Sequence, residues 1–107
     1  MKDEDIMVSM EIICSAGEAR SIAILAIEEA KNGKIEKARE MLKEAKEQMH
    51  MAHEAQTRLI TQEMSGDPVA INVLLIHSQD HLMTTIAHHQ SAENLVDVWE
   101  VVHSLKK

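Results

Sequence analysis

Two histidines and an aspartate stand within five residues of one another, at His77, Asp80 and His81, inside the stretch INVLLIHSQDHLMTT (Ile71–Thr85). On a helix, steps of three and four residues return to the same face. His77, Asp80, His81 and Thr84 therefore share one ridge, within an arc of about 100° at 3.6 residues per turn. Leu75, Ile76, Leu82, Met83 and Ile86 fall on the other side, as a face able to anchor in a core. A histidine on a helix face is most often only a satisfied polar group, but a compact His/Asp/His/Thr ridge invites chemistry of three kinds. Imidazoles at i and i+4 can grip a metal ion, with Asp80 adding an oxygen, and H-x-x-D-H is similar to the H-x-x-E-H motif of some zinc proteases. Asp in place of Glu shortens the would-be base, so the metal reading survives as a non-catalytic metal-binding helical bundle. His50, His53, His88, His89 and His103 offer that bundle further ligands. General acid–base catalysis with Asp80 orienting an imidazole would lack an oxyanion hole, a nucleophile and a glycine-rich phosphate cradle. The third chemistry is nucleophilic: neutral His77 takes a phosphoryl group on a ring nitrogen and hands it on. Such a ring needs exposure, a docking surface and donors for the phosphoryl oxygens, for which His81, Thr84 and Gln79 are nearby in sequence. Residue chemistry alone leaves metal binding and phosphoryl transfer both open.

The elements that must position this ridge are helices. Ala, Met, Leu, Ile, Glu and Lys dominate the chain, and three Gly and one Pro leave little material for turns, so few and long elements are expected. The first helix is expected from Asp3–Asp5 to about Lys31, with acidic residues suited to its amino end and Asn32-Gly33 as its stop. Ile6, Met10, Ile13 and Gly17 form one face of it, and Ala19, Ala23, Ala26 and Ala30 repeat at four, three and four, allowing a close neighbour. A second helix runs from about Lys34 to Met64, with Ile35, Ala38, Leu42, Ala45, Met49, Ala52, Gln56 and Leu59 in register. Ser65-Gly66-Asp67-Pro68 is the clear loop, and Pro68 can open the first turn of a third helix spanning about Val69 to Leu105. The site stripe continues downstream as Leu95, Val98, Trp99 and Val102, while Val101 continues the opposite side. The third helix is therefore apolar on two faces, and the second face asks for self-association. The eight Met are expected as core filler, Trp99 as a core or interface anchor, and His50 and His53 as surface or structural groups.

Composition bounds the rest. At 107 residues, 45% apolar and 27% charged, residues 1–107 read as a single all-α domain. A formal charge of −7 with a single aromatic residue argues against nucleic acid. No apolar run approaches the roughly 18 residues of a membrane span, and MKDEDIMVSM lacks the plan of a signal peptide. The one Cys, Cys14, fits a reducing compartment and is expected as a small buried apolar residue, so the chain reads as cytoplasmic.

Three blocks carry a resemblance: SAGEARSIAILAIEEAKNGKIEKA at Ser15–Ala38, AHEAQTRLI at Ala52–Ile60 and LLIHSQDHLMTT at Leu74–Thr85. In this order and spacing the chain resembles the IIA component of the lactose/cellobiose (diacetylchitobiose) branch of the bacterial sugar phosphotransferase system. The last block is the specific one. The resemblance implies three long antiparallel helices per protomer and a homotrimer forming a nine-helix bundle with coiled-coil-like packing. It implies that His77 accepts phosphate on Nε2 from the phosphocarrier HPr and passes it to a cysteine of a IIB partner. The phosphoryl group ends on a sugar such as lactose, cellobiose or chitobiose, entering through a membrane IIC component. It implies further that three copies of Asp80 meet at the trimer axis around one divalent cation, expected to be Mg2+, which takes Asp80 away from orienting His77. Three buried carboxylates would otherwise repel strongly. Gln79 and His81 are carried over as neighbours of the phosphate. Ser78 stands where that family commonly has Ala, and its hydroxyl is expected to sit in solvent without a role.

Overall fold

The computed structural model describes residues 2–106 and holds three helices: α1 (Asp3–Lys31), α2 (Ile35–Met64) and α3 (Val73–Ser104). No strand occurs among the described residues. The bundle measures 61 × 19 × 18 Å, a rod whose long axis the helices follow. Lys2 meets Asp67 at one end and His103 meets Ala30 at the other, so α1 and α3 run parallel and α2 antiparallel to both. α1 packs most extensively, against both neighbours, whereas α2 and α3 touch least.

The core is written in alternating steps of four and three. On α1 the buried line is Asp5, Ser9, Ile12, Ala16, Ala19, Ala23, Ala26 and Ala30, and on α3 it is Ser78, Leu82, Thr85, His89, Ala92 and Val96. On α2 it is Ala38, Leu42, Ala45, Ala52, Ala55 and Leu59, with Met49 packed partly against it. The expected α2 register and the expected alanine line of α1 are therefore the packed ones. The expected face Ile6, Met10, Ile13 and Gly17 is not. It lies one residue round from the true line, and Met10 is exposed. The error has a physical source: the polar residues Asp5 and Ser9 occupy buried positions of the α1 line, so its apolar pattern points one residue away. Polar residues also enter the α3 line, where they bond to carbonyls of the facing helices. Thr85 Oγ1 donates to the Ala16 carbonyl at 3.4 Å, and His89 Nε2 donates to that of Leu42 at 2.9 Å.

Four further expectations change. α3 begins at Val73, not Val69, because Asn72 is its cap: φ −153°, ψ 171°, with its side-chain oxygen accepting from Leu75 N at 2.9 Å. Pro68 lies in the irregular connection ahead of it. Cys14 is exposed, on the outer side of α1. Of the eight Met expected as core filler, Met41 and Met49 pack against the core, Met7, Met10, Met51, Met64 and Met83 are exposed, and Met1 lies outside the described residues. Ser78 is fully buried, not in solvent: its hydroxyl donates to Leu75 O at 2.6 Å and accepts from Gln79 Nε2 at 3.2 Å.

The turn after α1 is as expected. Gly33 takes φ 86°, and its N–H and that of Lys34 return to Ala30 O and Glu29 O at 3.0 and 2.9 Å. Trp99 is half-buried and stacks on His103, whose Nε2 reaches the Ala30 and Lys31 carbonyls at 3.0 and 3.1 Å and clasps α3 to the end of α1. The start of α3 sets the register of everything after it. Replacing its cap, Asn72→Ala, should lower stability by about 1 kcal/mol in a denaturant melt, with Asn72→Asp retaining most of it. Equal melts for wild type and Asn72→Ala would remove the cap from the account.

Candidate functional site

α3 carries its buried seam on one side, and the residues around Asp80 show what the other sides hold. Leu82 is buried and Leu75 and Ile86 half-buried, but Ile76 and Met83, expected among the core residues, are 55% and 53% exposed. They flank Asp80 at steps of four and three, and Ala87, Val98, Val101 and Leu105 continue the line down an exposed face. Asp80 thus belongs to a second, outward apolar seam, and α3 is apolar on two faces as its sequence implies.

His77, His81 and Thr84 lie between the two seams, on the flank facing α1. The His77 side chain is 58% exposed and its Nδ1 stands 3.4 Å from Asp80 Oδ1. The rings of His77 and His81 stack, with centroids 5.8 Å apart and planes 22° from parallel. His81 is the inner of the two and its Nε2 lies over Gly17 of α1. Arg20, one turn further along α1, donates to the Thr84 hydroxyl, which in turn donates to the Asp80 carbonyl at 2.9 Å. Burial pushes the His81 imidazole below its ordinary value, Arg20 and then His77 push it further, and Asp80 opposes them. The shift favours the neutral form of His81 at pH 7.

Gln79 is placed differently. It lies roughly 160° round the helix from His77 at 3.6 residues per turn. Its amide oxygen accepts from Gln56 Nε2 on α2 at 2.6 Å. Within one protomer it is no neighbour of the ridge. Asp80, set aside as an orienter of His77 in favour of the trimer axis, stands within 3.4 Å of its Nδ1 in the protomer. No group of three or more His, Cys, Asp and Glu able to hold a metal occurs among the described residues, so His77, Asp80 and His81 do not form one ligand set within the chain. His50 pairs with Glu54 at 2.9 Å and His53 is exposed, both on α2. His88 turns a buried Nε2 inward without a hydrogen-bond partner among the described residues. The α1 residues Gly17 and Arg20 were not among the expected site residues. Their signal was the SAGEARS block, which reads as helix packing until α1 is laid beside α3.

Chemically, the ridge offers an exposed imidazole with a carboxylate near Nδ1, a free Nε2 edge and a neutral second imidazole. That suits reversible capture of an electrophile at Nε2.

Residues 7–100 match the model of the family described as PTS system, lactose/cellobiose-specific IIA subunit. The chain is 37% identical over 99 residues to the lactose-specific EIIA component of Staphylococcus epidermidis, covering 92% of this chain and 95% of that one. It is similar in structure to the cellobiose-specific enzyme IIA from Bacillus anthracis, with a TM-score of 0.94, 37% identity and coverage of 98% and 96%. It is similar also to the IIA(chitobiose) chain solved in complex with HPr, from the N,N'-diacetylchitobiose branch of the Escherichia coli phosphotransferase system. That match has a TM-score of 0.82, 29% identity and coverage of 95% and 99%.

The electrostatics of the ridge can be checked directly. In an NMR titration the His81 imidazole should have its midpoint below the ordinary 6.5, and Arg20→Gln should raise it, because a cation that opposes protonation has gone. Burial persists in that variant, so the midpoint should stay below the ordinary value. An unmoved midpoint would show that Arg20 does not act on this ring.

Proposed function

The chain belongs to the lactose/cellobiose-specific IIA family of the sugar phosphotransferase system, and on that premise we propose that His77 is the residue on which it carries the phosphoryl group. The observation that carries this reading is the exposed His77 ring, with Asp80 Oδ1 3.4 Å from its Nδ1 and the His81 ring stacked beside it. With the Nδ1 proton kept towards Asp80, the lone pair sits on Nε2. That nitrogen attacks the phosphorus of the phosphohistidine on HPr. The new N–P bond forms as the donor's N–P bond breaks, and the electron pair returns to the donor ring. The Asp80 carboxylate offsets the positive charge that His77 gains. In the next transfer a cysteine thiolate of the IIB component attacks the same phosphorus, and His77 leaves as neutral imidazole.

The phosphoryl group travels between proteins, and the sugar meets only later members of the chain. The relatives accordingly bear the names of different sugars on one fold: lactose, cellobiose and N,N'-diacetylchitobiose. Partners of this kind support a cytoplasmic protein, and no helix among its described residues is long and apolar enough to cross a membrane.

The outward seam supports a trimer in which three α3 helices pack on one another and make a nine-helix bundle. Ile76 and Met83 would then be covered, and the three Asp80 carboxylates would face one another on the axis. Asp80 fits a shared cation: its side chain is 62% exposed in the protomer, its oxygens are hard donors suited to Mg2+, and its own chain supplies no completing set. One divalent ion per trimer, held by the three Asp80, would relieve the repulsion of like charges. In such an assembly Gln79 comes to a neighbouring subunit's phosphate only across an interface.

Incubation with enzyme I, HPr and phosphoenolpyruvate should add one phosphoryl group, seen by mass. His77→Ala should bring that gain to background while leaving the helical circular dichroism intact. Label found on His81 would overturn the acceptor assignment. Sedimentation should show a trimer that Asp80→Asn preserves after chelation of metal, because the variant removes the like charges. A wild-type monomer would overturn the assembly.

A further inference from the structure

We propose that Gly17 of α1 is a positioning residue for the phosphoryl-accepting ring, acting through His81. The inference rests on the reading of His77 as acceptor. Glycine is the poorest helix former after proline, and Gly17 stands in the interior of a 29-residue helix. Backbone conformation does not require it there: among the described residues positive φ is confined to Gly33 and Gly66. Space does require it. A Cβ at position 17 would stand 3.3 Å from His81 Nε2, closer than ordinary contact, so the ring would have to give by a few tenths of an ångström.

The ring can give only outward. Its tip rests on α1 at Gly17, its face is stacked on His77, and the Arg20–Thr84 hydrogen bond occupies the flank one turn along. A methyl group at 17 therefore pushes His81 outward, and the motion passes to the ring stacked on it. Phosphoryl transfer is sensitive to such motion, since a misplacement of about 1 Å can cost roughly a hundredfold in rate. A few tenths should cost about tenfold. The helix itself gains from alanine. Stability and activity should thus move in opposite directions, which a merely structural glycine would not produce.

The experiment is rapid-quench phosphorylation of the intact protein by phosphorylated HPr, with thermal melts of the same samples. Gly17→Ala should accept phosphate about tenfold more slowly, melt at or above the wild-type Tm, and shift the His77 imidazole NMR signals before any phosphate is added. In a His81→Ala background the same substitution should change the rate by less than about twofold, because the ring that transmits the displacement is gone. Wild-type rate in Gly17→Ala overturns the inference. Equal slowing in both backgrounds, or slowing with a lowered Tm, overturns it as well. If wild type itself takes no phosphate on His77, the acceptor assignment falls and takes this inference with it. That failure is read from the wild-type lane alone.

Discussion

The close approach of α1 to both of its neighbours, made largely by the alanines of α1 and α2, is the constraint from which the rest follows. Ala16, Ala19, Ala23, Ala26 and Ala30 of α1 meet Ala38, Ala45, Ala52 and Ala55 of α2 and Ala92 of α3 in seams closed to water. Small side chains bring backbones together, so polar side chains of one helix can reach carbonyls of the next. Thr85 reaches Ala16, His89 reaches Leu42 and His103 reaches Ala30. Thr85 and His89 are buried, and each would cost about 1–3 kcal/mol if left without a partner. The same closeness at Gly17 puts a backbone under the His81 ring. A core of Phe and Leu would hold the helices further apart and would leave that ring without a floor.

α3 resolves two demands that pull in different directions. Its inner line is committed to the protomer, and its outer line of Ile76, Met83, Val98 and Val101 is committed to none of it. The histidine ridge occupies the border between them, the strip that neither seam covers. That place leaves the His77 ring accessible while the helix beneath it is fixed on one side by packing. Asp80 faces both ways, within 3.4 Å of His77 Nδ1 and in line with the outer apolar residues. A carboxylate on an apolar seam is unfavourable unless something answers its charge, which links the chemistry of the ridge to whatever covers the seam.

The cations are distributed unevenly. Arg39 is held by Glu100 and Asp97 at 2.8 and 3.1 Å, and Arg58 by Glu11 at 2.7 Å, all on the exposed surface where ion pairs add little stability. The Arg39 pairs nonetheless bridge α2 and α3, the two helices that otherwise touch least. Arg20 instead bonds to a hydroxyl beside the ridge, and its charge is felt by His81. Two arginines thus serve the bundle and one serves the site.

Local sequence determined the helical class, two of the three helices to within a residue or so, the alanine register and the ridge itself, because each depends on spacing within one element. That α3 is apolar on two faces was legible for the same reason, but not which residues make the outer one: Ile76, Met83 and Val101, expected on the side opposite the ridge, lie exposed in line with Asp80 and Val98. Tertiary structure decided what spacing cannot carry. Ser78 reads as a solvent residue until a facing helix closes over it, and Ile76 and Met83 read as core until the real seam is found one step round. The cap at Asn72 competed with a stronger start signal at Pro68, and only the path of the connection chose between them. Gly17 and Arg20 are more than fifty residues from His77 in the chain. They belong to its surroundings because α1 and α3 lie parallel and in register, a relation that exists only once the bundle is packed.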